Sequence, residues 1–207
     1  MSRRIVPAFV PAFVLALGLA ACASQPRIVE QWDDPGFKGG GFKRVLVLGV
    51  TRDGTVRRVF EDEFSAGLRA RGVEAVPAYT VLPDDGRVER PKLEAAVRAA
   101  KADAVILTRV LRVEQRTEIV PSAPVPAYPG FWGAYGAAWG GPLWVYAQPP
   151  TVIQYNLVYV ESQLWDVKSD RMVWSAVSEL FAPSNPRQDS ANYSRVILDA
   201  LAARKRL

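Results

Sequence analysis

The chain has no histidine and one cysteine among its 207 residues. Without histidine there is no Ser-His-Asp triad and no Cys/His zinc centre, and one cysteine cannot form an intramolecular disulfide. Strong charge bias is also missing. Lys and Arg number 26 against 21 Asp and Glu; removing Arg3 and Arg4 with the targeting segment described below leaves a net +3, too small a surplus to imply a nucleic-acid partner. Between positions 121 and 150 charge disappears altogether. There Tyr128, Phe131, Trp132, Tyr135, Trp139, Trp144 and Tyr146 alternate with five glycines and seven prolines. That composition predicts a long irregular loop rather than a regular helix or a central strand.

What is present begins with a targeting pattern. Arg3 and Arg4 precede an apolar run from Ile5 to Leu19, and small residues lead to Cys22. This is the layout of a secretory signal over residues 1–21. Pro7 and Pro11 interrupt the run, which barely reaches the roughly 17 to 20 apolar residues a spanning helix needs. Leu19-Ala20-Ala21-Cys22 resembles the bacterial lipobox. That resemblance implies cleavage before Cys22 and acylation of its thiol and amine, with residues 22–30 as a lipidated tether. Each buried methylene adds about 0.8 kcal/mol, so several acyl chains anchor durably.

Residues 31–207 read as one α+β domain in the order β-α-β-α-β-β-β-α, a mixed sheet with helices on one face. Ile28 to Trp32 suits a short edge strand before Asp33-Asp34-Pro35-Gly36. Lys43 to Val50, rich in Val and Leu, suits a central strand. A helix follows, capped by Asp53 or Thr55, with Val56, Val59, Phe60, Phe64 and Leu68 as its apolar stripe and Gly72 beyond its end. Val73 to Tyr79 is an edge strand broken by Pro77. Pro91 opens a second helix. From Ala104 to Val120 the pattern is apolar on both sides at first; past Val110 it alternates, with Arg112, Glu114, Arg116 and Glu118 on one face. Such a strand must bend or protrude from a domain of this size. Thr151 to Asp166 can pair with it antiparallel, Met172 to Phe181 returns, and the last helix starts near Pro186 or Asp189.

Metal and catalytic patterns are weak. Gly39-Gly40-Gly41 lacks phosphate-loop spacing, because Lys38 and Lys43 are not followed by Ser or Thr. Asp84 and Asp85 lack a third oxygen ligand at calcium-loop spacing. Glu61, Asp62 and Glu63 read as a solvated helix face, with Glu61 and Asp62 opposite the apolar stripe. No cofactor and no catalytic constellation is expected.

With the lipobox placed, the chain resembles a large group of Gram-negative lipoproteins carrying a small periplasmic α/β domain. The matching features are Trp32-Asp33-Asp34-Pro35, Val45-Leu46-Val47-Leu48, Ala102-Asp103-Ala104-Val105, and Leu164-Trp165-Asp166 followed by Val173-Trp174. A more distant likeness is to the curli-secretion lipoprotein and the N-terminal domain of the Tol-system periplasmic protein. The resemblance implies an outer-membrane lipoprotein facing the periplasm, since Ala23 rather than aspartate follows Cys22. It implies no catalytic residue.

Three functions fit. The first is a non-enzymatic interaction or envelope-assembly module, bound to membrane lipid through acylated Cys22. Its 121–150 loop, with Trp132, Tyr135, Trp139 and Trp144, then contacts an envelope protein, the membrane interface, cell-wall glycan or another copy of the chain. The rival expectation is that this loop folds back over the sheet as core. The second function is a membrane-inserting oligomer using a hairpin of residues 110–120 and 151–160. The third is a glycan-acting enzyme using two carboxylates from among Asp33, Asp34, Glu114, Glu118 and Glu161.

Overall fold

The computed structural model describes residues 25–39, 41–83, 87–122, 124–127, 130–141, 143–146 and 149–207. The signal at 1–21, Cys22, and the Asp84-Asp85 turn lie outside these residues. Strands β1 (Arg27–Asp33), β2 (Arg44–Val50), β3 (Glu74–Pro77), β4 (Ala104–Val120), β7 (Thr151–Asp166) and β8 (Arg171–Phe181) make one mixed sheet in the order β1-β8-β7-β4-β2-β3. Helices α1 (Gly54–Arg69), α2 (Arg90–Ala100) and α4 (Pro186–Ala203) pack on it. The domain is α+β, and its main elements run β-β-α-β-α-β-β-β-α. Strand β2 is parallel to β3 and β4, while the other neighbours are antiparallel. Strand β1 takes Arg27 to Glu30 out of the stretch read as tether and into the sheet.

Alternation along β2 decides the layers. Val45 and Val47 face a core shared with Phe64 and Leu68 of α1 and Ile197, Leu198 and Leu201 of α4. Leu46 and Leu48 face the other way, onto Ala96 and Ala100 of α2. Helices therefore cover both faces, correcting the one-face expectation. The physical reason is that β2 and β4 are apolar on both sides, so each face must be buried. Helix α1 starts where Asp53 accepts hydrogen bonds from the N–H groups of Thr55 and Val56, at 2.9 and 3.0 Å. It approaches α4 so closely that a Cβ at Gly67 would lie 2.6 Å from Leu198 Cδ1.

The carboxylate of Glu61 is not on a solvated face. It is fully buried on α1, where it accepts from Arg57 Nε at 2.9 Å, Gly49 N at 3.0 Å and Tyr79 N at 2.7 Å. Arg57, also buried, donates to the Leu82 carbonyl. The apolar stripe misled because the end of β2 and the Tyr79–Leu82 segment bring backbone groups against this side of α1, the Gly49 and Tyr79 N–H and the Leu82 carbonyl, that need polar partners.

Asp33 and Asp34 close the domain. Asp34 is buried and accepts from Gly36 N at 2.8 Å and from Arg171 at the start of β8. Asp33 accepts from Arg204, just past α4, at 2.7 Å. The Trp32–Pro35 sequence thus ties the first strand to β8 and to the end of the last helix.

Candidate interaction surface

Strands β4 and β7 pair along their whole length, from Ala104 opposite Asp166 to Val120 opposite Thr151. Their neighbours stop sooner. The pairing of β2 with β4 ends at Val50 opposite Arg109, and that of β8 with β7 ends at Phe181 opposite Leu157. From Val110 onward β4 and β7 leave the sheet as a ribbon; β8 still flanks it as far as Leu157 opposite Glu114, and the last stretch, Gln115 to Val120 opposite Asn156 to Thr151, is two-stranded for about 20 Å at roughly 3.3 Å per residue. A bulge between Val110 and Arg112 marks its root. Bulges increase local twist and turn a strand away from its sheet.

One ribbon face pairs Arg112, Glu114, Arg116 and Glu118 with Tyr159, Leu157, Tyr155 and Ile153. Glu114 accepts from Arg112 at 2.8 Å and Arg116 at 2.6 Å, and those two hydrogen bonds hold its carboxyl below the ordinary range. The Arg112 guanidinium lies 3.6 Å from the Tyr159 ring centroid. The other face pairs Val113 with Val158, Gln115 with Asn156, Thr117 with Gln154 and Ile119 with Val152. Its middle is thus polar, unlike the continuous apolar band of a lipid-facing barrel strand.

At the ribbon's end the expected irregular loop carries regular structure. Strands β5 (Pro124–Ala127) and β6 (Leu143–Tyr146) pair as a small antiparallel sheet, and α3 (Gly130–Gly140) lies between them. The prolines of the stretch sit outside α3, two of them on β5, where no central ladder is broken. Gly141, at φ 86°, closes the helix with its N–H on the Ala137 carbonyl at 2.8 Å. A positive φ there is the usual glycine terminus.

All four contact residues expected from sequence are exposed: Trp132 at 79%, Tyr135 at 54%, Trp139 at 82% and Trp144 at 59%. Phe131, outside that set of four, is 74% exposed and joins them. Its spacing of four from Tyr135 was the available signal. Phe131, Tyr135 and Trp139 recur every fourth residue, with centroids 6.5 and 6.4 Å apart, and Trp132 stands edge-on to Phe131 at 5.4 Å. The tip does not cover the sheet. Helix α3 has four glycines and three alanines among 11 residues and no charged side chain. Among the described residues no helix is long and apolar enough to cross a membrane.

The carboxylates considered for glycan chemistry are dispersed and mostly committed. Asp33 and Asp34 sit on the β1 latch, Glu114 lies between two arginines on the ribbon, and Glu161 pairs with Arg109 at 2.8 Å. Among the described residues no group of three or more acidic or thiol side chains is placed to hold a metal.

No protein-family model matches the chain, and no curated protein sequence matches it. Among solved structures, the PelC dodecamer from Paraburkholderia phytofirmans has a distant likeness to it, with a TM-score of 0.42 and 17% identity over 86% of this chain and 97% of that one. A second PelC dodecamer from the same organism, carrying one substitution, gives the same values. A PDZ domain protein from Parabacteroides distasonis has a TM-score of 0.35 and 14% identity, over 86% of this chain and 36% of that one.

Proposed function

We propose that this chain is a lipid-anchored, non-enzymatic module of the bacterial envelope that holds an aromatic helix against a bilayer interface. The observation that carries this reading is α3 itself. A helix of 11 residues is marginal alone in water, and each glycine weakens it by about 1 kcal/mol relative to alanine. A helix apolar all round belongs against apolar surroundings, yet Phe131, Trp132 and Trp139 face solvent. Trp and Tyr concentrate where hydrocarbon meets headgroups. Glycan binding is less well supported, because the tip offers no carboxylate or arginine to grip sugar hydroxyls.

The path of the chain supports the same reading. Arg27, at the start of β1, pairs with Glu179 near the end of β8, which in turn pairs with Tyr159 at the ribbon root. The N-terminal side and the ribbon therefore leave the sheet at one end. An acylated Cys22 and the aromatic tip would approach the same membrane. The charged ribbon between them, internally ion-paired, suits the aqueous or headgroup zone.

The test uses the full-length chain in vesicles whose lipids carry bromine on the acyl chains, which quenches nearby tryptophan. The chain has 6 tryptophans. We expect Trp132, Trp139 and Trp144 to be quenched and Trp32, Trp165 and Trp174 to be spared. Changing the three tip residues to phenylalanine should remove most of the quenching. Quenching that persists without them, or none with them present, refutes the membrane contact.

A further inference from the structure

A second apolar feature lies at the end of the sheet from which the ribbon departs. Where the C-terminal end of β2 and the middle of β4 meet the N-terminal ends of α1 and α4, a recess of about 330 Å³ opens between Phe60, Val158, Val160 and Leu180. Crevices of open α/β sheets form at such strand ends. Around its mouth Val50, Val56 and Val110 are 50, 36 and 53% exposed, so three aliphatic side chains meet water at one opening. A cluster of this kind marks a binding surface more often than a bare exterior.

Most of the polar groups in its wall are already engaged, and Asp189 accepts from Asn185 N at 2.8 Å. Thr108 Oγ1 and Ser162 Oγ are 2.5 Å apart, and Ser162 Oγ lies 2.9 Å from Tyr193 Oη. Arg57 is turned to Glu61, and Arg109 to Glu161. Both arginines of the lining are thus committed, which leaves an anionic group no counter-charge there, whereas a hydrocarbon chain needs none. At roughly 30 Å³ per water-sized group the space suits about eleven methylenes.

The described chain begins beside this recess. Arg195 of α4 donates to Gln25, and Pro26 lines a neighbouring groove with Leu180, Pro183, Ser184 and Asp189, all four of which also line the recess. Cys22 precedes Gln25 by three residues, a reach of about 11 Å. We propose that the recess holds a fatty-acyl chain carried on Cys22. This rests on the lipoprotein reading above. One acyl chain is thereby sheltered whenever the protein is out of a bilayer, leaving the other chains and α3 to engage the surface.

The test is made on the full-length protein from cells fed a fatty acid with a terminal diazirine. After irradiation, a crosslink is expected within one molecule, joining the Cys22 peptide to peptides containing Phe60, Val158 or Leu180. Filling the space with Val158→Trp should reduce it at least tenfold. Val56→Trp, at the exposed rim, should do the same and covers the case in which the first variant does not fold. Phospholipid adducts on those peptides without a link to Cys22, adducts confined to other surfaces, no crosslink, or crosslinking unchanged in both variants would each overturn the proposal. The mass of the N-terminal peptide separates the two failures, since an unacylated Cys22 defeats the lipoprotein reading itself. An acylated but uncrosslinked one defeats only the recess.

Discussion

Replacing Glu61 with alanine should unfold the protein far more easily than any substitution on a solvated helix face. In the structure the carboxylate accepts from Gly49 N, Arg57 Nε and Tyr79 N, all within 3.0 Å. Its own side chain is 0% exposed and that of Arg57 3%. Removing Glu61 leaves the guanidinium buried without this counter-charge, and breaking a buried pair from one side costs about 3–5 kcal/mol. Two backbone N–H groups are stranded as well, at about 1–3 kcal/mol each, though the terms overlap. A net loss of about 4 kcal/mol is a large share of the roughly 5–15 kcal/mol by which domains are stable. Glu61→Gln keeps the volume and one acceptor oxygen, so its loss should be nearer 2 kcal/mol. Combining it with Arg57→Met should cost less than the two single changes added, because neither charge is left facing a lost partner. Urea unfolding followed by circular dichroism at neutral pH measures the parent and all four variants. If Glu61→Ala stays within about 0.5 kcal/mol of the parent, as ordinary surface changes do, the buried-pair reasoning is wrong.

Three further outcomes follow from other parts of the molecule. A Cβ at Gly136 would meet open space, so Gly136→Ala should pre-form α3 by about 1 kcal/mol and tighten vesicle binding several-fold, read by flotation of the full chain; weaker binding would argue against a helical tip. Burial, the dominant influence, raises the Tyr193 phenol above its ordinary 10.0, partly opposed by its hydrogen bond with Ser162. Its stabilising contribution is therefore complete below about pH 10 and lost as pH climbs toward the folded-state value; Tyr193→Phe should flatten the alkaline end of a stability profile at a cost of about 1–2 kcal/mol. Asp34→Ala removes the partner of Arg171 and Gly36 N, and should cost about 1–3 kcal/mol. Amide exchange should then speed up along Trp32–Phe37 more than in α2.

Much of the fold was legible because hydrophobic spacing is a local property. The Val and Leu run of β2, Asp53 as a cap, Pro91 at the start of α2 and the alternation past Val110 all report on their own neighbourhoods, and each stands where it was expected. The aromatic tip was legible as composition. Its α3 was not, since four glycines and a frame of prolines carry a propensity against helix that only the closed ends of the β5–β6 pair contain. Glu61 was misread for a different reason. Periodicity reveals which side of a helix is apolar, whereas its burial depends on Gly49 and Tyr79 arriving from distant parts of the chain with unpaired N–H groups.

The sequence by itself determined the uncharged aromatic stretch, the alternation of the ribbon strands and the order of the main sheet strands and their helices, because each follows from side chains a few residues apart. Only the tertiary structure decided that α2 takes the opposite face from α1 and α4, that Asp33 and Asp34 latch onto Arg204 and Arg171, and that the tip stands clear of the sheet. Those outcomes depend on where strands of unequal length stop pairing. Strand β8 ends at Phe181 and β2 at Val50, while β4 and β7 run on together, so their far ends have no sheet beside them and the aromatic helix is carried out into solvent.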